Sequence, residues 1–186
     1  SLHDALPISC LVIPLPLSPY KPLLGCMTLI VFLGFADDLR ELTPRFRLLG
    51  QMLIVLLAMF WGNLELRDLG DLFFTGHNIH LHGVGAAVFT ILAWLSFTNA
   101  SNMQDGVDGL AGTVSAVQIA SLLLLAFLGH AVSDAALLSA FLASLIVFLC
   151  FNFPCPKKKR PTKIFMGDAG SLLLGFFTAW FAIRFS

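Results

Sequence analysis

Six apolar segments, separated by polar loops, limit what this chain can fold into. They cover Leu23–Ala36, Leu48–Trp61, Val84–Thr98, Thr113–Leu128, Ala135–Phe153 and Ser171–Phe185. The chain is 58% hydrophobic and only 12% charged, whereas soluble domains are about 25% charged. A bilayer crossing needs about 20 residues, so we expect each helix to extend into its flanking loops. The sequence predicts an all-α, polytopic transmembrane helix bundle of about six spans.

The first 22 residues do not follow this pattern. The chain begins with Ser1, and no basic stretch leads into an apolar core as it would in a signal peptide. Four prolines between positions 14 and 22 make a poor helix interior. We interpret 1–22 as an atypical N-terminal segment, either non-native or truncated, and the chain as a fragment.

Basic residues predict the orientation. If the segments alternate across the bilayer, eight of the 11 Lys and Arg residues fall on one side, here called side one. Cytoplasmic loops are enriched in Lys and Arg, so side one is predicted to be cytoplasmic. This topology is sufficient to explain the run Lys157–Arg160. The alternative is a direct role of that run with diphosphate or anionic headgroups.

The first acidic motif, Asp37-Asp38, ends the first apolar segment on side one. Adjacent helix residues point about 100° apart, so both carboxylates cannot face one partner. A solvated helix end that stops the span is the alternative interpretation.

The second motif is a polar row that repeats every third residue, at Asn99, Asn102, Asp105 and Asp108. Such a row between two apolar segments is a functional-site hypothesis. Gly106 and Gly109 predict that the helix breaks there. An ordinary polar turn is the alternative.

The third motif surrounds Asp168, which lies between Gly167 and Gly170 just before the last apolar segment. We predict that Ser171 caps that helix and that its N-terminus favours a bound phosphate. Simple capping by Asp168 is the alternative.

The alternation brings these three acidic motifs to the same membrane face. Carboxylates that gather in one place repel each other unless a cation lies among them. Carboxylate and amide oxygens suit Mg²⁺, which keeps positions for phosphate and water. The residues therefore predict phosphoryl chemistry at a membrane surface. The zero net charge gives no hint of nucleic-acid binding.

The three motifs together resemble the polyprenyl-phosphate N-acetylhexosamine-1-phosphate transferases of the glycosyltransferase 4 family. That family carries an Asp-Asp pair, an Asn-x-x-Asn-x-x-Asp-Gly-x-Asp-Gly stretch and Phe-Met-Gly-Asp-x-Gly-Ser. All three occur here in order, within Leu23–Phe185. The resemblance implies that 23–186 is a partial membrane-embedded transferase domain in a bacterial inner membrane, with its active site on the cytoplasmic face. The family also has a cytoplasmic His-rich loop that helps to bind the donor, and we do not expect that loop within this fragment.

The resemblance also implies a reaction. A UDP-N-acetylhexosamine donor, most similar in motif to UDP-GlcNAc users, passes its sugar-1-phosphate to undecaprenyl phosphate and releases UMP. The product belongs to O-antigen or cell-envelope glycan synthesis. The peptidoglycan branch, which uses UDP-MurNAc-pentapeptide, is the alternative. The lipid bilayer is a further partner, and a homodimer is left open.

The family pattern implies roles for individual residues. Asp168 is the best candidate Mg²⁺ ligand and Asn102 the second, with Mn²⁺ as a substitute metal. Asp37 or Asp38 engages or deprotonates the lipid phosphate, and Asp105 and Asp108 position the donor or the metal. The remaining candidates, all assigned to substrate binding, are Asn99, Lys163 and Gly167.

Two other kinds of function stay open. A membrane transporter or proton relay would also carry intramembrane acids, but near the middle of its spans. An inactive fragment that only assembles with other membrane proteins would show no metal dependence.

His77, His80 and His82 fall on the side opposite the acids and are interpreted as polar loop residues. With the segment around Leu64–Arg67, they are predicted to form a small extracytoplasmic hairpin near 64–82.

Overall fold

The computed structural model describes residues 18–71, 76–153 and 164–186. A 3-10 turn, Ser18–Tyr20, precedes six α-helices. They are α1 Lys21–Arg40, α2 Pro44–Gly62, α3 Gly83–Gln104, α4 Leu110–Leu128, α5 Val132–Asn152 and α6 Gly167–Arg184. All the regular secondary structure within these ranges is helical. The predicted all-α fold class is therefore confirmed.

Five of the six helices have the length and hydropathy of a membrane crossing. They are α1, with the turn before it, and α2 to α5, each 19 to 23 residues long. Their lengths show that the predicted apolar segments do extend into the loops. The sixth helix, α6, has 18 residues and carries Asp168 and Arg184 at its ends. It does not reach the hydropathy of the other five.

The position of α6 explains its weaker apolar character. It packs against α1, α3 and α4, and all the residues from Leu174 to Phe181 along it are buried. The other five helices leave many large apolar side chains exposed on their outer faces, where lipid would lie. Because α6 is surrounded by protein, its residues must suit packing against other helices and not contact with lipid.

Glycines allow α6 to approach its neighbours closely. A Cβ added at Gly34 of α1 would lie 2.4 Å from the Ala169 Cα, and one added at Gly175 would lie 2.6 Å from the Thr98 Cα. Small residues at such contacts are common in membrane helix packing, because they let backbones meet. Gly34 therefore controls the distance between the end of α1 and the start of α6.

The end of the bundle on the predicted outer side, side two, is held by an ionic cluster. Asp134, at the start of α5, is 7% exposed and accepts a bifurcated hydrogen bond from Arg184 Nε, which lies 3.1 Å from each carboxylate oxygen. Tyr20 donates its hydroxyl hydrogen to the same carboxylate at 2.5 Å. The Arg184 guanidinium also lies 5.8 Å from the Tyr20 ring centroid. Three helix ends thus meet in one place, as strict alternation across the bilayer requires.

The predicted hairpin is present as a short antiparallel pairing. Asp68 and His80 form an isolated bridge, and the Leu69 amide donates to the Ile79 carbonyl oxygen at 3.0 Å. No regular strand forms in the described part of this loop, which excludes 72–75. The Leu66 amide donates to Thr90 Oγ1 at 2.9 Å, which fastens the loop to α3.

We expect Gly34→Ala to destabilise the protein, because the new methyl group would meet backbone atoms of α6 that cannot rotate away. The cost is about 3 kcal/mol, the upper end for overpacking. Gly85→Ala is the matched control, since Gly85 is also helical but has no atom within 4 Å of an added Cβ. Thermal unfolding in detergent should show a lower Tm for Gly34→Ala only. Equal Tm values would contradict the close α1–α6 contact.

Candidate functional site

The candidate site lies where α1 and α3 end and α6 begins. The first amides of a helix have no partner within that helix, so they need acceptors from elsewhere. In α6 these amides belong to Gly167, Asp168 and Ala169. Carboxylates from the first and second motifs supply the acceptors.

Asp38 is the first of these acceptors. Its Oδ1 accepts the Asp168 amide hydrogen at 2.8 Å, and its Oδ2 accepts the Ala169 amide hydrogen at 3.2 Å. The carboxylate is exposed, and the close Gly34–Ala169 contact one turn below brings it into reach. A negative charge at a helix N-terminus is also favoured by the helix dipole. The first and third motifs are therefore directly bonded.

Asp105 is the second acceptor, and it comes from the second motif. It follows the last residue of α3 and accepts a backbone hydrogen bond from Gly167. Burial raises the pKa of Asp105, and the neighbouring charges of Asp168, Asp38 and Asp108 raise it further. Three other carboxylates thus lie close enough for their charges to act on Asp105. The predicted convergence of the three motifs is confirmed.

Asn102 also connects the second and third motifs, through hydrogen bonds from its side chain. Its Nδ2 donates to Asp168 Oδ1 at 2.6 Å and to Ser171 Oγ at 3.0 Å. The two residues assigned to Mg²⁺ therefore touch. The prediction that Ser171 caps α6 is wrong, because the helix begins four residues earlier. Ser171 is buried in the second turn, where its hydroxyl donates to the Gly167 carbonyl oxygen at 3.1 Å.

Gly167 has two structural reasons to be glycine. Its φ of +68° lies in the left-handed region that side chains disfavour. A Cβ there would also lie 3.1 Å from Asp38 Oδ2. The backbone conformation and the contact with Asp38 therefore explain the glycine, and its assignment to substrate binding stays a prediction.

Asp37 points away from this cluster. It is 5% exposed, and its Oδ1 accepts the Leu42 amide hydrogen at 2.8 Å. Its Oδ2 accepts a hydrogen bond from Arg47 Nη1 at 3.2 Å. The 100° step between adjacent helix residues explains why the pair divides in this way. Asp37 holds the turn between α1 and α2, whereas Asp38 faces α6.

Asn99 lies about one turn deeper in α3 than Asn102. Its Nδ2 donates to Gln51 Oε1 at 2.7 Å and to the Leu95 carbonyl oxygen at 2.8 Å. Gln51 belongs to α2, is 1% exposed, and was not among the predicted site residues. A single amide inside an apolar segment was the signal that could have identified it. Asn99 thus joins α2 to α3 below the carboxylate cluster.

The remaining predicted residues have different positions. Asp108 is exposed, in the turn between α3 and α4, and its charge contributes to the raised pKa of Asp105. Lys163 and the basic run 157–160 lie outside the described residues. His82 precedes the first residue of α3, about 33 Å from the other end of this 22-residue helix. The three loop histidines are therefore far from the acids of the three motifs, as predicted.

The donor set at this end of the bundle fits a hard divalent cation. Carboxylate and carboxamide oxygens from Asp168 and Asn102 suit Mg²⁺. The neighbouring carboxylate charges that raise the pKa of Asp105 would be neutralised by a cation bound among them. Within the described ranges, no three His, Cys, Asp or Glu side chains form a metal-binding group by themselves. Mg²⁺ is commonly held by one or two carboxylates together with substrate phosphates. A site with fewer than three carboxylate ligands from the protein is therefore compatible with Mg²⁺.

Comparison with known proteins adds independent information. The family model described as glycosyl transferase family 4 matches residues 21–186. The chain is 33% identical over 165 residues to an undecaprenyl-phosphate alpha-N-acetylglucosaminyl 1-phosphate transferase of Yersinia pestis. It is 32% identical over 161 residues to the protein of that name in Escherichia coli O157:H7. A protein of Bacillus subtilis, described as a probable undecaprenyl-phosphate N-acetylglucosaminyl 1-phosphate transferase, is 34% identical over 148 residues.

These alignments cover most of this chain but less than half of each relative. They include 89%, 87% and 80% of the chain, and 44%, 43% and 39% of the respective relatives. The three motifs and all six helices described above lie within the range that the family model matches.

We expect the two adjacent aspartates to differ in their effect on stability. Asp37→Ala leaves the partly buried Leu42 amide and Arg47 without their acceptor, which costs roughly 3 kcal/mol because a charged partner is lost. Asp38→Ala removes an exposed helix cap, which costs about 1 kcal/mol. Thermal unfolding of both variants beside wild type should give the lower Tm for Asp37→Ala. The reverse order would contradict the division of roles proposed for this pair.

Proposed function

The chain belongs to glycosyl transferase family 4, and on that basis we propose that it forms the phosphate-transfer centre of an enzyme acting on undecaprenyl phosphate. The enzyme transfers GlcNAc-1-phosphate from UDP-GlcNAc to this lipid and releases UMP. The observation that carries the proposal is the bonding of two motifs to the start of α6. Asp38 and Asp105 accept its first amide hydrogens, beside Asp168.

The reaction depends more on neutralising the charge of the phosphates than on removing a proton. An oxygen of the lipid phosphate attacks the β-phosphorus of the donor, while the bond from that phosphorus to the bridging oxygen breaks and UMP leaves. A phosphate monoester is largely ionised near neutral pH, because its second pKa is about 6. Asp168 and Asn102 would hold Mg²⁺, which would neutralise charge on the transferring phosphates.

The chain's own residues prepare the site for this chemistry. Asn102 orients Asp168 through the 2.6 Å hydrogen bond, and Asp38 and Asp105 hold the first turn of α6 against α1 and α3. Of the Asp37-Asp38 pair, we assign the role at the lipid phosphate to Asp38, because Asp37 is buried against Arg47. As both groups are anions, Asp38 would act there by accepting the remaining proton of the phosphate or through the bound cation. Preorganised groups of this kind lower the barrier because they need not move during the reaction.

The location of the acids supports an enzyme rather than a transporter. A proton relay would place carboxylates along the middle of its spans. The site carboxylates lie at helix ends instead, and the polar pair found deeper, Gln51 and Asn99, is uncharged. We further propose that the protein lies in the bacterial inner membrane with this end on the cytoplasmic side. The excess of Lys and Arg on the loops of side one supports this orientation.

The test is a transfer assay on the protein expressed from its complete gene. Radiolabelled UDP-GlcNAc and undecaprenyl phosphate are incubated in detergent with Mg²⁺, Mn²⁺ or EDTA. We expect lipid-linked product with either metal and none with EDTA. Asp168→Asn should lower the rate at least about 100-fold, because it removes the carboxylate that would hold Mg²⁺ at the transferring phosphate.

Glu41→Gln is the matched control for the loss of one carboxylate. Glu41 is exposed at the same end of the bundle, directly after α1, and should keep the wild-type rate within about twofold, as surface changes usually do. Product only from UDP-MurNAc-pentapeptide would assign the protein to peptidoglycan synthesis. Absence of product from every UDP-N-acetylhexosamine would refute the enzyme assignment.

A further inference from the structure

Asn152, the last residue of α5, is a buried polar residue on a helix that carries none of the three motifs. It is 5% exposed, and both ends of its carboxamide are bonded. Its Oδ1 accepts the Gly109 amide hydrogen at 2.7 Å. Its Nδ2 donates to the Ile164 carbonyl oxygen, also at 2.7 Å. One side chain therefore contacts backbone groups on two separate segments.

The first of these segments ends the second motif. Gly109 follows Asp108 directly and precedes the first residue of α4. Its φ of +74° marks the sharp change of direction between α3 and α4. The hydrogen bond that it donates to Asn152 is buried, and a buried amide without an acceptor costs roughly 1–3 kcal/mol. Asn152 therefore fixes the point at which the Asp105–Asp108 turn joins α4.

The second segment leads into the third motif. Ile164 lies four residues before Asp168 and three before the start of α6. Its carbonyl group belongs to a stretch without regular structure, so local helix bonds do not hold it. The hydrogen bond from Asn152 anchors this stretch just before the chain turns at Gly167.

We propose that Asn152 is a positioning residue for the transfer reaction. It sets the distance between the turn that carries Asp105 and Asp108 and the segment that carries Asp168. It makes this link from α5, without touching the reacting atoms itself. The proposal rests on the function proposed above and adds a residue that none of the three motifs contains.

The chemistry of the link requires asparagine. An acceptor and a donor are needed at the end of one short side chain, and a carboxamide has both. An ionised aspartate would keep the acceptor for Gly109 but lose the donor for Ile164. The site also has little room for adjustment, because a Cβ added at Gly109 would lie 2.6 Å from the Phe153 ring. Phe153 and Asn152 thus hold Gly109 from two directions.

The test combines kinetics with hydrogen exchange on the protein expressed from its complete gene. For Asn152→Ala we expect kcat to fall about 10–100-fold, because a shift of about 1 Å in catalytic groups has that effect. The KM values for UDP-GlcNAc and undecaprenyl phosphate should change less than about threefold, since substrate contacts remain. Amide exchange should become faster in peptides covering 105–112 and 164–170.

Asn152→Asp gives a second, more selective measurement. It keeps the bond to Gly109, so exchange should become faster at 164–170 and stay near wild type at 105–112. A variant that merely loosened the whole fold would raise exchange at both segments equally, and that result would count against the proposal. This variant also serves if Asn152→Ala fails to fold.

Asp134→Asn is the matched control. Asp134 is a similarly buried polar residue on the same helix, 7% exposed, but it lies at the opposite end with Tyr20 and Arg184. It should lower Tm while kcat stays within about twofold, as expected for a change remote from the chemistry. Wild-type kcat in both Asn152 variants would overturn this inference and leave the proposed function standing. Absence of transfer by wild type would overturn both.

Discussion

The first turn of α6 needs hydrogen-bond acceptors, and much of the site follows from how they are supplied. Its amides lie at the end of a membrane bundle and have no acceptor within their own helix. Asp38 and Asp105 come from two other helices and accept the amide hydrogens of Gly167, Asp168 and Ala169. The same bonds that complete the helix bring three carboxylates together. The contacts that complete the first turn of α6 are therefore also contacts of the site.

This arrangement requires the backbones to approach closely. Asp38 reaches α6 because Gly34 allows α1 to contact Ala169 one turn below it. Gly175 does the same between α6 and α3, where an added Cβ would meet Thr98. In lipid, helices gain little from apolar contact with one another, so close packing and hydrogen bonds stabilise their association. The glycines are thus part of the site, although they carry no chemistry.

Residues of α5 make hydrogen bonds near both ends of α6. On the predicted outer side, Asp134 accepts a bifurcated hydrogen bond from Arg184 at the end of α6. On the site side, Asn152 holds Ile164, which leads into α6. Between them, the Phe141 and Phe177 rings stack with centroids 3.8 Å apart. The polar contacts at its two ends fix the position of α6 along the membrane normal. Apolar contacts alone would define that position poorly.

The sequence by itself determined the helical class, the alternation of the chain and the face on which the acids meet. It could do so because lipid imposes length and polarity on each segment independently of its neighbours. Tertiary structure alone decided that Asp38 faces α6 while Asp37 bonds to Arg47, and that Ser171 lies inside its helix. It also showed that Gln51 and Asn152 support the motifs. The contacts between different segments join residues 10 to 131 positions apart. They depend on how the helices rotate and pack, which periodicity and composition do not specify.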